Sequence, residues 1–185
     1  MKLKMILPQF SNYINNNVSC KWIIKSFDKG DEECWSKLIS NSYQHNIDTN
    51  SYYDYFRSRM IEHPAYDRSS IFFVVEKDNH SNAVATASAW YDTRIDDPKS
   101  GYLHMVGVLP QFQGLGLGRL VVLSALECMK TRGDTCARLH TDPWRIAAVR
   151  MYLTLGFIPE INEDNIFEDQ IAWSSILKVL CEYRK

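Results

Sequence analysis

Three of the 8 glycines in this 185-residue chain stand at Gly114, Gly116 and Gly118, each separated by one residue. Glycine reaches backbone conformations closed to other residues and lets a partner come close to the main chain, so a chain that uses it sparingly and gathers it here needs that backbone. Before the cluster, Tyr102–Val108 has the apolar character of a strand; after it, Leu117–Arg132 reads as a helix apolar nearly all round, as one packed between a sheet and other elements. Successive N–H groups at a helix start, unobstructed by Cβ atoms, form a cradle for an anion such as a pyrophosphate. Two nucleotide motifs fail at this point. A P-loop needs Gly-Lys-Ser/Thr where the chain has Gly118-Arg119-Leu120, and a dinucleotide fingerprint needs a third glycine at position 119, which is Arg. An anion cradle of another kind and a tight turn without a ligand both remain.

The rest of the composition sets bounds. With 45% hydrophobic residues the chain can bury a sizeable core, and 21 basic against 22 acidic side chains leave no field that draws it onto nucleic acid or an anionic membrane. A small uncharged or zwitterionic partner fits better. The apolar stretch Met5-Ile6-Leu7 stops at Pro8, short of a signal segment, and no run approaches the roughly 18 apolar residues of a membrane span. Cys20, Cys34, Cys128, Cys136 and Cys181 show no C-x-x-C spacing. They read as buried reduced thiols, in keeping with a cytoplasmic location.

Residues 1–19 are polar and read as an arm without structure, followed by one domain over 20–185. Strands are expected at 21–27, at 70–77 and 83–91 as a hairpin, at 102–108 and at 136–141. Helices are expected from Asp31 with acidic Glu32 and Glu33 in its first turn, over 51–62, over 117–132 with Gly133 as its cap, from Asp142 as N-cap with Pro143 first to Leu155, and over 169–183. This order implies an α/β (α+β) domain with a largely antiparallel first half.

Val108-x-Pro110-x-x-Gln113-Gly114-x-Gly116-x-Gly118 resembles the acetyl-CoA motif of the GNAT N-acetyltransferase superfamily. One helix and one strand further on, Ala148-x-x-x-Tyr152-x-x-x-Gly156-Phe157 is similar to the family's other cofactor motif. The resemblance covers residues 102–157 and implies a mixed, mostly antiparallel sheet of about six strands flanked by helices. Two departures stand out. The family often has Asn three residues before the alanine, where this chain has Arg145, so the role of Asn does not carry over: Arg145 contacts a cofactor phosphate or carbonyl, or only pairs with Asp142. After Phe157 the family commonly adds two strands, whereas 169–183 reads as helix, which implies a shortened sheet.

The resemblance further implies that acetyl-CoA is the cosubstrate, its pantetheine arm paired to the backbone of Val106 and Val108 beside Gly107, its pyrophosphate on the amides of Gln113, Gly114, Leu115, Gly116, Leu117, Gly118 and Arg119. Leu115 and Leu117 would anchor the loop by their side chains. Transfer of acetyl to a primary amine of a small molecule expels a thiolate, for which Tyr152, placed by the motif, is the acid; the alternative is a core tyrosine bonded elsewhere. An alkylamine of pKa about 10.4 must also lose a proton, at roughly 4 to 5 kcal/mol at neutral pH. Strict alternation would put Tyr102, His104, Val106 and Val108 on one face, which brings His104 near the thioester as the base; a structural histidine is the alternative and His140 the second choice. His45, His63 and His80 read as surface residues. Tyr43, Tyr52, Tyr53 and Phe56 line either an acceptor pocket or the core, and Asp92, Asp96 and Asp97 either attract a cationic amine or form a solvated loop. No metal site is visible. Two other readings stay open: a protein or peptide acceptor, and a non-catalytic module that binds acetyl-CoA.

Overall fold

A computed structural model describes residues 2–11, 20–43, 49–63, 66–91, 97–161 and 165–182. Its strands are β1 (Leu3–Leu7), β2 (Trp22–Ser26), β3 (Ile71–Glu76), β4 (Asn79–Trp90), β5 (Ser100–Val108), β6 (Cys136–Thr141) and β7 (Ile158–Pro159). They form one sheet in the order β2-β3-β4-β5-β6-β1-β7, in which only the β5–β6 neighbours run parallel. The helices are α1 (Glu32–Ser42), α2 (Thr49–Tyr55, followed by a π turn over Phe56–Ile61), α3 (Leu117–Arg132), α4 (Ile146–Thr154) and α5 (Ile166–Glu182).

Two apolar clusters, one on each side of the sheet, fasten these layers. On one, Trp35, Leu38 and Ile39 of α1 meet Phe56, Phe73 and Tyr102; on the other, α3 and α5 bury Val121, Val122, Leu126, Trp173 and Ile176 against Leu3, Met5, Val74 and Leu139. β4 is buried without a break from Ala83 to Trp90, and its Ala83, Ala85, Ala87 and Ala89 let both layers approach closely. A clamp holds the end of α3 to β4: Arg132 donates to the carbonyls of Ala89 and Trp90, pairs with Asp134 at 2.6 Å and lies 3.7 Å over the Tyr91 ring.

The N-terminus departs from expectation. Residues 1–19 were to be an arm, but Leu3–Leu7 forms β1, inserted antiparallel between β6 and β7. Leu3, Met5 and Leu7 alternate into the core at 2%, 0% and 2% exposure, the period-two pattern of a half-buried strand in a run of only five residues. Residues 12–19 lie outside the described ones. The sheet is therefore not shortened: β1 and the brief β7 supply strands beyond β6, which makes seven among the described residues, close to the expected six. Among the cysteines only Cys136 is buried; Cys20 and Cys181 are exposed.

Candidate active site

Gly116 caps the N-terminus of α3 in the left-handed region, φ 78°, with no side-chain hydrogen bond. Most helices begin with a Ser, Thr, Asp or Asn whose oxygen takes up one of the first amides. Here the first amide satisfied within the helix is that of Leu120, which donates to the Gly116 carbonyl at 3.0 Å, so the amides of Leu117, Gly118 and Arg119 face out of the helix end. Gly114 also has a left-handed backbone, φ 79°, and a Cβ at Gly114 or Gly116 would enter open space. Gly118 is different: a Cβ there would come within 3.2 Å of Val108 Cγ2, so it lets α3 lie close to β5. Gln113 ties the loop to the strand, its Nε2 donating to the Val108 carbonyl at 3.3 Å, while its own amide turns back to the Pro110 carbonyl at 3.2 Å. That amide is spent within the turn, so the cradle begins after Gln113. Leu117 anchors the loop at 1% exposure, but Leu115 is 57% exposed and anchors nothing.

A gap in the sheet lies beside this loop. The parallel strands β5 and β6 pair only at Ser100–Cys136, Gly101–Ala137 and Tyr102–Arg138, after which neither finds the other. Arg138 holds the paired end, bonding Glu160 at 2.8 Å, Ser100 Oγ at 2.6 Å and Asp97 at 3.2 Å. Asp97 is thereby committed to the scaffold and does not serve as bait for an amine; the Lys99 amide first and Arg138 second hold its carboxyl below the usual range. Asp92 and Asp96 lie outside the described residues.

Strict alternation along β5 does not hold. Ser88 faces His104 and Thr86 faces Gly107, so Met105 and Val106 together stand opposite the single residue between them on β4, and Met105 takes φ 48°. This is a β-bulge, and it reverses the facing of everything after it. Tyr102 and Met105 pack on the α1 side and Val106 on the α3 side, while a Cβ at Gly107 would meet Ser42 and Ile39 of α1 at 3.0 and 3.1 Å. His104 thus shares the α1 side with Gly107 and not with Val106 and Val108. There its Nε2 lies 3.5 Å from the Tyr55 hydroxyl, and the Tyr102 and Trp90 rings flank it at 5.8 and 6.2 Å. His140 stands edge-on to Tyr102 at 5.6 Å, and His63, half-buried, packs on Trp90 at 5.6 Å. His80 is exposed, and His45 is outside the described residues.

Tyr152 is 2% exposed on α4, edge-on to Phe157. Burial lifts its hydroxyl well above the ordinary phenol range, with the Arg145 cation opposing and Tyr43 and Tyr102 adding to the shift. Tyr43 just past the end of α1, Tyr102 of β5, Arg145 before α4 and Tyr152 of α4 therefore act on one another electrostatically. Asp142 does not cap α4, which begins at Ile146; Arg145 is its N-cap and the Asp142 carboxylate meets Lys2 of the N-terminal segment at 3.5 Å. Arg145 does not ion-pair with Asp142 either. It reaches over to β5, where its Nη2 donates to the Val106 carbonyl at 2.9 Å and its guanidinium lies 4.6 Å over the Tyr43 ring. Of Tyr43, Tyr52, Tyr53 and Phe56, Tyr52 and Phe56 are core, Tyr53 is exposed and Tyr43 reaches the site, where it is joined by Tyr55, which the sequence reading did not single out. A cavity of 380 Å³ between α1 and the start of β4, lined by Cys34, Lys37, Asn41 and Asn82 among others, lacks Tyr152, Arg145 and the glycine loop. The groups that could do chemistry lie elsewhere, at the gap.

A glycine-bounded helix end beside a parted pair of parallel strands is the arrangement that the motif resemblance implies for an acyltransferase domain. The model of the acetyltransferase (GNAT) family matches residues 32–157, more than half of the chain, and the chain belongs to that family. It is 29% identical over 141 residues to a mycothiol acetyltransferase of Thermobispora bispora, covering 72% of this chain and 45% of that one, and 29% identical over 136 residues to that of Thermomonospora curvata, covering 72% and 43%. The chain thus spans less than half the length of these curated relatives. Its fold is similar to a GCN5-related N-acetyltransferase from Sphaerobacter thermophilus (TM-score 0.66, 16% identity, 86% of this chain and 48% of that one). It is also similar to an aminoglycoside N-acetyltransferase in complex with CoA (TM-score 0.60, 15% identity, 81% and 95%). Among the described residues, no helix is long and apolar enough to cross a membrane and no group of His, Cys, Asp or Glu could hold a metal ion.

Proposed function

We propose that this chain transfers an acetyl group from acetyl-CoA to a primary amine of a small molecule by direct attack. The observation that carries the reading is the helix end of α3, left without a side-chain cap by Gly116 and opening beside the gap between β5 and β6. A pyrophosphate would lie on the outward amides of Leu117, Gly118 and Arg119, with the open backbone of Gly114 and Gly116 giving it room; the pantetheine would lie along β5 at Val106 and Val108, past the end of its pairing with β6, where Arg145 and Gln113 already hold the two carbonyls. The residues fit the group. Bound acetyl-CoA supplies an acetyl carbon activated as a thioester.

Tyr152 holds a proton at Oη over the whole range in which the reaction would run, because burial keeps its phenol un-ionised. It gives that proton to sulfur as the C–S bond breaks. His104, on the α1 side of the gap, takes the proton that the amine loses as its nitrogen bonds the acetyl carbon, directly or through water held with Tyr55. The small-molecule acceptor is supported by the mycothiol and aminoglycoside acetyltransferase relatives.

The test is CoA release from acetyl-CoA with a panel of small amines. Turnover is expected, with kcat reduced about 10²-fold or more in Tyr152→Phe and the acidic limb of the pH profile altered in His104→Ala. Stabilisation by acetyl-CoA without turnover on any amine would replace this reading with a non-catalytic binding module. A Tyr152→Phe variant as fast as wild type at every pH would remove Tyr152 from the acid role.

A further inference from the structure

Arg145 is the residue that the motif comparison leaves without a role, and its surroundings give it one. A guanidinium carries five N–H donors in a planar fork. One goes to the Val106 carbonyl at 2.9 Å, and the Tyr43 phenol is its other near partner, with the ring under the cation at 4.6 Å. These neutral groups satisfy part of the fork, and the Asp142 carboxylate acts on the charge only from beyond ion-pair distance. Among the described residues no carboxylate comes within ion-pair distance of Arg145: Asp142 is turned to Lys2, Asp97 and Glu160 to Arg138, and Asp134 to Arg132. A half-buried cation held in this way is poised for an anion brought from outside.

The side of the sheet decides whose anion it is. Tyr43 follows directly on α1, the helix whose Ser42 and Ile39 sit over Gly107, and His104 and Tyr55 meet on that same side. The amides of Leu117, Gly118 and Arg119 open at the end of α3, across the sheet. The Arg145 charge is therefore delivered to the side from which the amine approaches, and the pyrophosphate is served by the loop.

We infer that Arg145, braced on Tyr43, binds a carboxylate of the acceptor, so that the acceptor is an amine that also carries a carboxylate, such as a free amino acid. This rests on the acetyl-transfer reading and narrows its substrate class. Carboxylate oxygens would accept from the free N–H groups of the fork, while the amine nitrogen of the same molecule lies toward His104. An amine placed by a fixed second contact is positioned for attack and loses less freedom in the reaction.

The test uses matched triples of an amino acid, its amide and its decarboxylated amine, built on leucine, phenylalanine, serine and lysine, with acetyl-CoA as donor and rates expressed per unprotonated amine. In at least one triple the wild-type kcat/KM for the carboxylate-bearing member is expected to exceed that of its amide and amine by about tenfold to a hundredfold, the range of one charge-assisted hydrogen-bonded contact. That ratio should collapse toward one in Arg145→Met and keep an intermediate value in Arg145→Lys, which retains the charge without the fork. Should Arg145→Met not fold, the wild-type and Arg145→Lys ratios decide. Equal rates within every triple, or a preference that survives in Arg145→Met, would overturn the inference and leave acetyl transfer intact. A wild-type preference for succinyl-CoA with plain amines, lost in Arg145→Met, would put the carboxylate on the acyl group and also overturn it. If acetyl-CoA binds and no member of any triple is acetylated, the acetyl-transfer reading and the inference fall together.

Discussion

α3 is bounded at both ends by a glycine in the left-handed region, Gly116 at φ 78° and Gly133 at φ 96°, and this allows the cost of a conformation to be separated from the use of a site. Alanine at either position enters open space, with nothing within 4 Å of its Cβ. The perturbation is therefore the same: an L-residue forced into the left-handed region, at about 1–2 kcal/mol, less the few tenths to about 1 kcal/mol returned by a stiffer unfolded chain. Each variant should lose about 1 kcal/mol, or roughly 2–4 °C in Tm for a chain of this size. The consequences for binding should differ. At Gly133 the new methyl group lies at the far end of the helix, whereas at Gly116 it stands at the mouth of the outward amides. CoA affinity, measured by titration calorimetry, is expected to fall about tenfold or more in Gly116→Ala, a loss of ~1.4 kcal/mol, and to be unchanged in Gly133→Ala. Thermal unfolding followed by circular dichroism, with and without CoA, checks the stability half. Equal CoA affinity in the two variants at equal stability would refute the assignment of this helix end to the ligand, and a loss of stability at Gly116 alone would refute the conformational argument.

Two further outcomes follow from burial. The Tyr152 phenol ionises at a higher pH in the folded protein than in the unfolded chain, so the folded state binds the proton more tightly; the stability this represents is complete below pH about 10 and is lost as pH rises beyond it. Tyr152→Phe should unfold less steeply with pH above about 10 in alkaline melts than wild type, and an unchanged slope would show that another group carries the alkaline loss. Met5 is fully buried between α-helical and sheet neighbours, and Met5→Ala is expected to cost about 2–5 kcal/mol by denaturant titration, whereas an unstructured arm would make it neutral.

Much of the layout was legible because it rests on local signals. Strand β6 and helix α3 lie where the apolar pattern and Gly133 put them, and the glycine cluster does mark a strand–turn–helix entry. Local signals misled where a partner distant in the chain decided the outcome. Asp142 has the chemistry of an N-cap, but β1 carries Lys2 to it and α4 starts four residues later. Leu3–Leu7 has a strand's alternation, yet five residues next to a polar stretch form no strand alone; the open edge of β6 makes it one.

Read alone, the sequence determined the family, the place of the glycine loop and the candidacy of Tyr152, since each depends on residue types at fixed spacing along one or two adjacent elements. Only the tertiary structure decided the geometry around them. It broke the alternation of β5 at Met105 and so parted His104 from Val106 and Val108, because a bulge arises from the pairing of two strands and leaves no mark in either. It also took Arg145 away from its neighbour Asp142 and set it on Val106 and Tyr43, because a long cation settles where the fold offers it a carbonyl and a ring, and those came from residues 39 and 102 positions away.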